Sequence, residues 1–153
     1  MSSFAVMEAI ACLLADLWPE RIIYRDFCPY DFERPSFFLW TTKEQREVRS
    51  LHLVEVNASF MLEIFCATDE YDVSSTEELR LVQADVLELL AGPKIKVSDS
   101  DTGEDRYITI TAMAAGQEPG SAFVQIQANW MDSKAASPEP VETIEHVAIR
   151  HEV

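Results

Sequence analysis

Apolar positions along this chain follow two different periods, and the two alternate in order. Between residues 3 and 18, Phe4, Met7, Ile10, Ala11, Leu14, Leu17 and Trp18 recur at three- and four-residue steps. That spacing stacks them on one face of an amphipathic helix. Ser3 is the expected N-cap, and Pro19 stops the helix. Ile22, Ile23 and Tyr24 predict a short strand over residues 21–25. Pro29 and Pro35 make residues 28–35 a loop or an irregular edge. Residues 36–42 hold Phe37, Phe38, Leu39 and Trp40 in succession. A strand apolar on both faces needs cover on both. The helical layer is one expected cover and a neighbouring subunit the other. Residues 43–49 are charged and read as a hairpin connection or an exposed strand extension.

The clearest period comes next. Val54, Val56, Ala58, Phe60, Leu62 and Ile64 alternate with Glu55, Asn57, Ser59, Met61 and Glu63. Period two over such a run predicts a half-buried strand, longer than the usual five or six residues. A strand that long can protrude beyond its own core. Residues 69–75 form an acidic turn, and Ser75-Thr76-Glu77-Glu78 is a capping-box signature. The helix it opens runs to about Ala91, with Leu79, Val82, Val86, Leu89 and Leu90 as its buried stripe. Gly92-Pro93 ends it. Residues 94–97 and 106–113 read as strands joined by an acidic hairpin, 98–105. Residues 113–121 carry Gly116, Pro119 and Gly120 and predict a mobile hairpin tip. Ala122, Val124, Ile126, Ala128 and Trp130 alternate with polar and aromatic partners as a last long strand. The expected architecture is an α+β domain over residues 1–132: a mostly antiparallel sheet with both helices on one face. Residues 133–140 read as a linker. Residues 141–153 read as an acidic tail or arm, with Val141, Ile144, Val147 and Ile149 weakly spaced.

Charge narrows the function. The chain of 153 residues has 27 Asp and Glu against 12 Lys and Arg, a net charge of −15. Such a chain repels phosphate backbones and anionic bilayers, which argues against general nucleic-acid or membrane binding. The apolar run from Phe4 to Trp18 is broken by Glu8 and Asp16 and has no basic region before it, so it does not read as a signal peptide. No stretch is long and apolar enough for a membrane helix. Cys12, Cys28 and Cys66 cannot pair completely and show no C-x-x-C spacing, so free thiols in a reducing cytosol are expected.

Catalytic signatures are weak. The histidines are His52, His146 and His151; two lie in the tail and none falls in an H-E-x-x-H motif. There is no G-x-S-x-G elbow. Gly92, Gly103, Gly116 and Gly120 cannot form a phosphate cradle. The stretch from Asp99 to Asp105 looks like the start of a calcium loop. However, position six is Glu104 and position twelve is Ile110. A solvated hairpin tip is the expected reading. Glu142, Glu145 and His146 make a still weaker ligand set. Phe37, Phe38, Trp40, Phe60, Phe65 and Trp130 could line a pocket, but their strand spacing favours core and interface.

One sequence of features points to a family. The helix ends near Trp18-Pro19, and the strand of residues 21–26 follows. Then comes the phrase Glu33-Arg34-Pro35-Ser36-Phe37-Phe38-Leu39-Trp40, a Pro before an aromatic-rich strand. Residues 46–49, the long strand ending at Phe65, a polar turn, the helix of residues 75–91, closing strands and the acidic segment Val141-Glu142-Thr143-Ile144-Glu145 complete the order. This layout resembles the tail terminator proteins of tailed bacteriophages, in particular the prophage-type tail-terminator-like family, over residues 3–150. The acidic hairpin at 98–105 and the longer tail depart from its smaller members.

The resemblance implies a structural protein of the virion tail or neck, assembled in the bacterial host cytoplasm. Such proteins form a ring, usually hexameric, on the end of the tail tube. The ring stops tube polymerisation and meets the head-side connector protein; in contractile tails it also meets the sheath protein. No enzyme activity, cofactor or metal is implied. DNA passes through the ring without specific binding, and an acidic lumen would keep it mobile. The residues expected at a subunit or tube interface are Phe38, Trp40, Glu55, Met61, Asp99, Asp101, Gln117 and Glu118. The rival readings are another neck component, such as a tail completion or head–tail joining protein, and a small cytosolic α+β domain that binds a ligand.

Overall fold

A computed structural model describes residues 1–92, 94–99 and 102–133. Pro93, Asp101 and the expected tail lie outside the described residues, as does the expected linker beyond Ser133. In chain order the elements are α1 (Ser3–Leu17), β1 (Ile22–Arg25), β2 (Ser36–Val48), β3 (Leu53–Phe65), α2 (Thr76–Leu90), β4 (Ile95–Ser98), β5 (Asp105–Glu118) and β6 (Ser121–Ser133). The six strands form one sheet in the order β1-β2-β3-β6-β5-β4. Only β1 pairs in parallel, with β2; the other neighbours are antiparallel. The fold is α+β, as the two periods predict.

Period two in β3 and β6 builds the core. Their register sets Val56 opposite Trp130, Ala58 opposite Ala128, Phe60 opposite Ile126, Leu62 opposite Val124 and Ile64 opposite Ala122. All of these side chains are buried. Residues directly opposite point to the same face, so one sheet face becomes continuously apolar. Onto it pack Val6, Met7, Ile10, Ala11 and Leu14 of α1, and Leu79, Val82, Val86 and Leu90 of α2. Both helices therefore share one face. The sheet curls enough that α1 touches both β2 and β4, near its opposite edges.

Element ends differ from the periodicity. The N-cap of α1 is Ser2, not Ser3: Ser2 is extended, and its hydroxyl accepts from the Ala5 amide at 3.2 Å. Ser75 caps α2 as its signature predicts, accepting from the Glu78 amide at 3.3 Å. Strand β2 continues through the charged residues to Val48, which makes this stretch a strand extension. Its backbone pairs with β3 from Lys43 opposite Ser59 to Val48 opposite Val54, and such pairing needs no apolar side chain. An irregularity between Thr41 and Lys43 resets the phase of the strand. The expected mobile tip at 113–121 is instead mostly strand. β5 runs to Glu118, β6 starts at Ser121, and only Pro119-Gly120 turns the chain.

Two substitutions test this packing by urea denaturation. Phe60→Ala removes a fully buried ring at the centre of the β3–β6 pair and should cost about 3–5 kcal/mol. Ser75→Ala removes the α2 cap and should cost about 1 kcal/mol.

Candidate interaction surface

The sheet face opposite the helices is open, because its outward positions are polar or only half-covered. Trp40 lies opposite Met61, and Phe38 lies opposite Glu63. Phe38 and Trp40 stack on each other with ring centroids 4.5 Å apart. Phe37 and Leu39, between them in sequence, are fully buried on the inner face, while Phe38 and Trp40 are half-buried. Within one chain, then, residues 36–42 are not covered on both sides. The outer aromatics cover each other in part and leave the rest to solvent.

Below this aromatic pair the outer face hollows into a groove of about 330 Å³. Gln45 of β2, Asn57 and Ser59 of β3, Gln127 and Asn129 of β6 and Thr111 of β5 line it, with Lys43 at one side. Carboxamides and hydroxyls dominate its walls. The Asn129 amide donates to Asn57 Oδ1 at 2.6 Å and to Glu55 Oε1 at 2.7 Å. Glu55 also accepts from Arg49 Nε at 2.6 Å. The Asn129 bond, then Arg49, hold the Glu55 carboxyl below its usual range. These bonds tie β3 to β6 and to the turn after β2, and the lining offers hydrogen bonds rather than acid–base chemistry.

Past the groove the β2–β3 hairpin projects with little cover. Val48, Leu51 and Leu53 are exposed at its end, Leu51 at 82%, and Met131 of β6, opposite Glu55, shares the outer face with Leu53. Arg49 pairs with Glu47 at 3.1 Å and with Glu55 on the flank of this apolar tip.

The opposite end of the sheet is tied by Arg34. Its Nη1 donates to the Cys66 carbonyl at 3.4 Å, the Ser74 hydroxyl at 3.3 Å and the Gly120 carbonyl at 3.1 Å. The guanidinium also lies over the rings of Phe32 and Phe65. One side chain thus joins the loop before β2, the turn after β3 and the β5–β6 turn. Arginine suits this task because its planar head donates in several directions while stacking on rings.

The residues expected at an interface divide. Phe38, Trp40, Met61 and Glu55 share the open outer face. Gln117 lies on the helix side, where its Nε2 donates to the Thr76 carbonyl at 3.3 Å and its Oε1 accepts from Arg80 at 3.2 Å. It therefore locks β5 to α2. Glu118 is exposed at the end of β5. Asp99 was expected on an exposed tip, but it is only 3% exposed. Its carboxylate lies 3.6 Å from the Met1 ammonium, which also meets Asp132 at 2.9 Å. A nearby cation draws the acid inward, so it is a poor candidate for a subunit contact. Asp101 lies outside the described residues. Cys12, Cys28 and Cys66 are free, as expected. No described helix is long and apolar enough to cross a membrane.

Glu63 was not singled out by the sequence. The register places it between Phe38 of β2 and Phe123 of β6. Burial pushes its carboxyl above the usual range, against the lowering effect of the Ser121 hydroxyl; Glu118 raises it and Arg34 lowers it. Charge on Glu63 therefore costs stability once the pH exceeds the normal carboxylate range. The only sequence signal was an acid in the outward set, and its aromatic neighbours come from strands far along the chain.

The sign is testable. Below about pH 4 the carboxyl is protonated in both folded and unfolded chains, so Glu63→Gln should leave the melting temperature nearly unchanged. As pH rises past the raised folded pKa, the wild type carries the full penalty and the variant should melt higher. Thermal melts from acid to neutral pH check this; a variant that loses stability at neutral pH contradicts the assignment.

No family model matches this chain, and no curated protein matches it in sequence.

Proposed function

We propose that this chain is a structural assembly protein of the tail-terminator type. On this reading it forms a ring, with hexameric symmetry taken from the family resemblance, that caps a tail tube. The ring stops tube polymerisation and presents a surface to the head-side connector, and to the sheath in a contractile tail. The observation that carries the reading is the projecting β2–β3 hairpin. Its tip exposes Val48, Leu51 and Leu53, and Met131 shares the outer face with Leu53. Exposed apolar side chains gathered at the end of a projecting hairpin, on a strongly acidic chain, mark a contact site, because water penalises them. The order of elements supports the same reading. So does an outer face with stacked Phe38 and Trp40 above a groove lined mainly by carboxamides and hydroxyls.

The acidic balance fits a component past which DNA moves. Negative charge on the subunits repels phosphate and keeps the duplex from sticking. A second reading, a ligand-binding α+β domain, rests on the groove of about 330 Å³. It is the weaker one, since the groove is open and hydrophilic, whereas small-molecule pockets are mostly apolar and enclosed.

The test is reconstitution with a tail tube protein from the same genome. Wild-type chain should arrest tube growth at substoichiometric amounts, seen as short capped tubes by negative-stain electron microscopy. Leu51→Glu places a charge on the exposed tip without touching the core, so it should fold normally and fail to cap. Unchanged tube lengths with the wild type, or full capping by Leu51→Glu, would count against the proposal.

A further inference from the structure

We infer that copies of this chain join edge to edge through a stepped β joint, in which β1 and β4 of adjacent copies share one row of a continuous sheet. The inference rests on the ring-forming reading and names its contact. It follows from how the two sheet edges are covered. Strand β1 pairs with Ser36–Leu39 alone, so the 42–48 stretch of β2 has no strand beside it among the described residues. Strand β4 pairs with Asp105–Ile108 alone, so the 109–115 stretch of β5 has none either. Each bare stretch is a row of backbone donors and acceptors able to accept another strand.

The two steps are complementary. Ser36 and Ile22 lie at the end of the sheet where β6 begins, and Val48 lies at the end where β6 finishes. Thr109 pairs with Asn129, and Glu118 pairs with Ser121, so the bare part of β5 reaches toward the first end. One edge is therefore bare at one end of the sheet and the other edge at the opposite end. Set a second copy alongside with its strands in the same sense. Its β1 then faces the bare part of β5, and its 42–48 stretch faces β4. The pairing senses follow from the topology: β1 meets β5 antiparallel, and β4 meets β2 parallel. Both β1 and β4 are four residues long. They lie in line within a single row. Because the two edges differ, the contact is head-to-tail, and repeating it closes a ring or extends a chain.

Charge makes another copy the fitting occupant. In a chain of net charge −15, the bare 109–118 part of β5 carries a single charged side chain, Glu118 at its far end. In the 42–48 stretch Lys43 and Arg46 balance Glu44 and Glu47. β1 contributes Arg25 and β4 contributes Lys96, with no acid in either strand. Those two cations already pair with Glu8 and Asp105, each at 2.7 Å. The seam is thus close to neutral where the rest of the surface repels its copies. On natural edges an inserted charge commonly blocks pairing, and the 109–115 stretch lacks one.

Two measurements on the full chain decide it. In the assembled particle, amide hydrogen exchange at 42–48 and 109–115 should slow relative to dilute monomer, with 22–25 and 95–98 slowing alongside. Ala115→Pro places a ring and removes an amide at a residue that the β5 bulge leaves out of the β6 register. It should keep the monomer's circular dichroism and weaken association at least about tenfold. A particle whose four segments exchange as in the monomer overturns the joint and leaves the ring reading standing. Slow exchange in the monomer at those amides of 109–115 that point away from β6 overturns it too, since the chain's own residues then fill the edge. Undiminished association of a folded Ala115→Pro chain has the same force. A wild-type chain that stays monomeric at all concentrations overturns both joint and ring.

Discussion

Everything in this molecule hangs on the register between β3 and β6. The pair runs without a break from Leu53 opposite Ser133 to Ile64 opposite Ala122. Side chains alternate faces, so a slip of β3 by one residue against β6 would send Phe60 and Leu62 to solvent and Glu63 and Asn57 into the core. The cost of that exchange fixes the register. With it fixed, β2 adds to β3 and β5 to β6, while both helices find one apolar face. The same alternation builds the other face. It puts Asn57, Asn129 and Gln127 around one groove and sets Glu63 between Phe38 and Phe123.

What the sequence made legible follows from this. Helix stripes and strand alternation are local signals of burial, and they read correctly for β3, β6 and the middle of both helices; at the ends of the α1 stripe Phe4 and Leu17 are exposed, Val6 is buried in their place, and Leu89 of α2 is only half-buried. Ends were less legible. The 43–48 stretch is charged and exposed, and only pairing with β3 makes it strand. Gly116 and Pro119 predict a tip before Glu118, yet a single irregularity near Gly116 absorbs the disturbance. Asp99 read as one acid among several, and nothing local revealed that the chain's first residue sits against it. The candidate surface was legible where it lies in a strand: Phe38, Trp40, Met61 and Glu55 follow from parity alone. Glu63, Arg34 and the bare sheet edges depend on which strands are neighbours, and composition does not encode that.

The charge of −15 takes its meaning from where it is absent. Loops and helix surfaces carry most of the acids, including the turn at 69–72 and the first turn of α2. The hairpin tip, the stacked aromatics and the groove's carboxamides carry few. Like-charged copies can meet only through such surfaces. Six copies together would carry roughly −90, so contact energy must exceed a large mutual repulsion. An assembly built this way is held by apolar and backbone contacts and opposed by its own field.

That balance yields the most direct measurement, sedimentation velocity of the full chain across a salt series. Salt shortens the reach of charge from about 10 Å at 0.1 M to about 3 Å at 1 M. If uncharged contacts join the copies, the fraction in the ring should rise with salt. A ring fraction that falls as salt rises would show that ion pairs hold the copies together, contradicting this account of the surface.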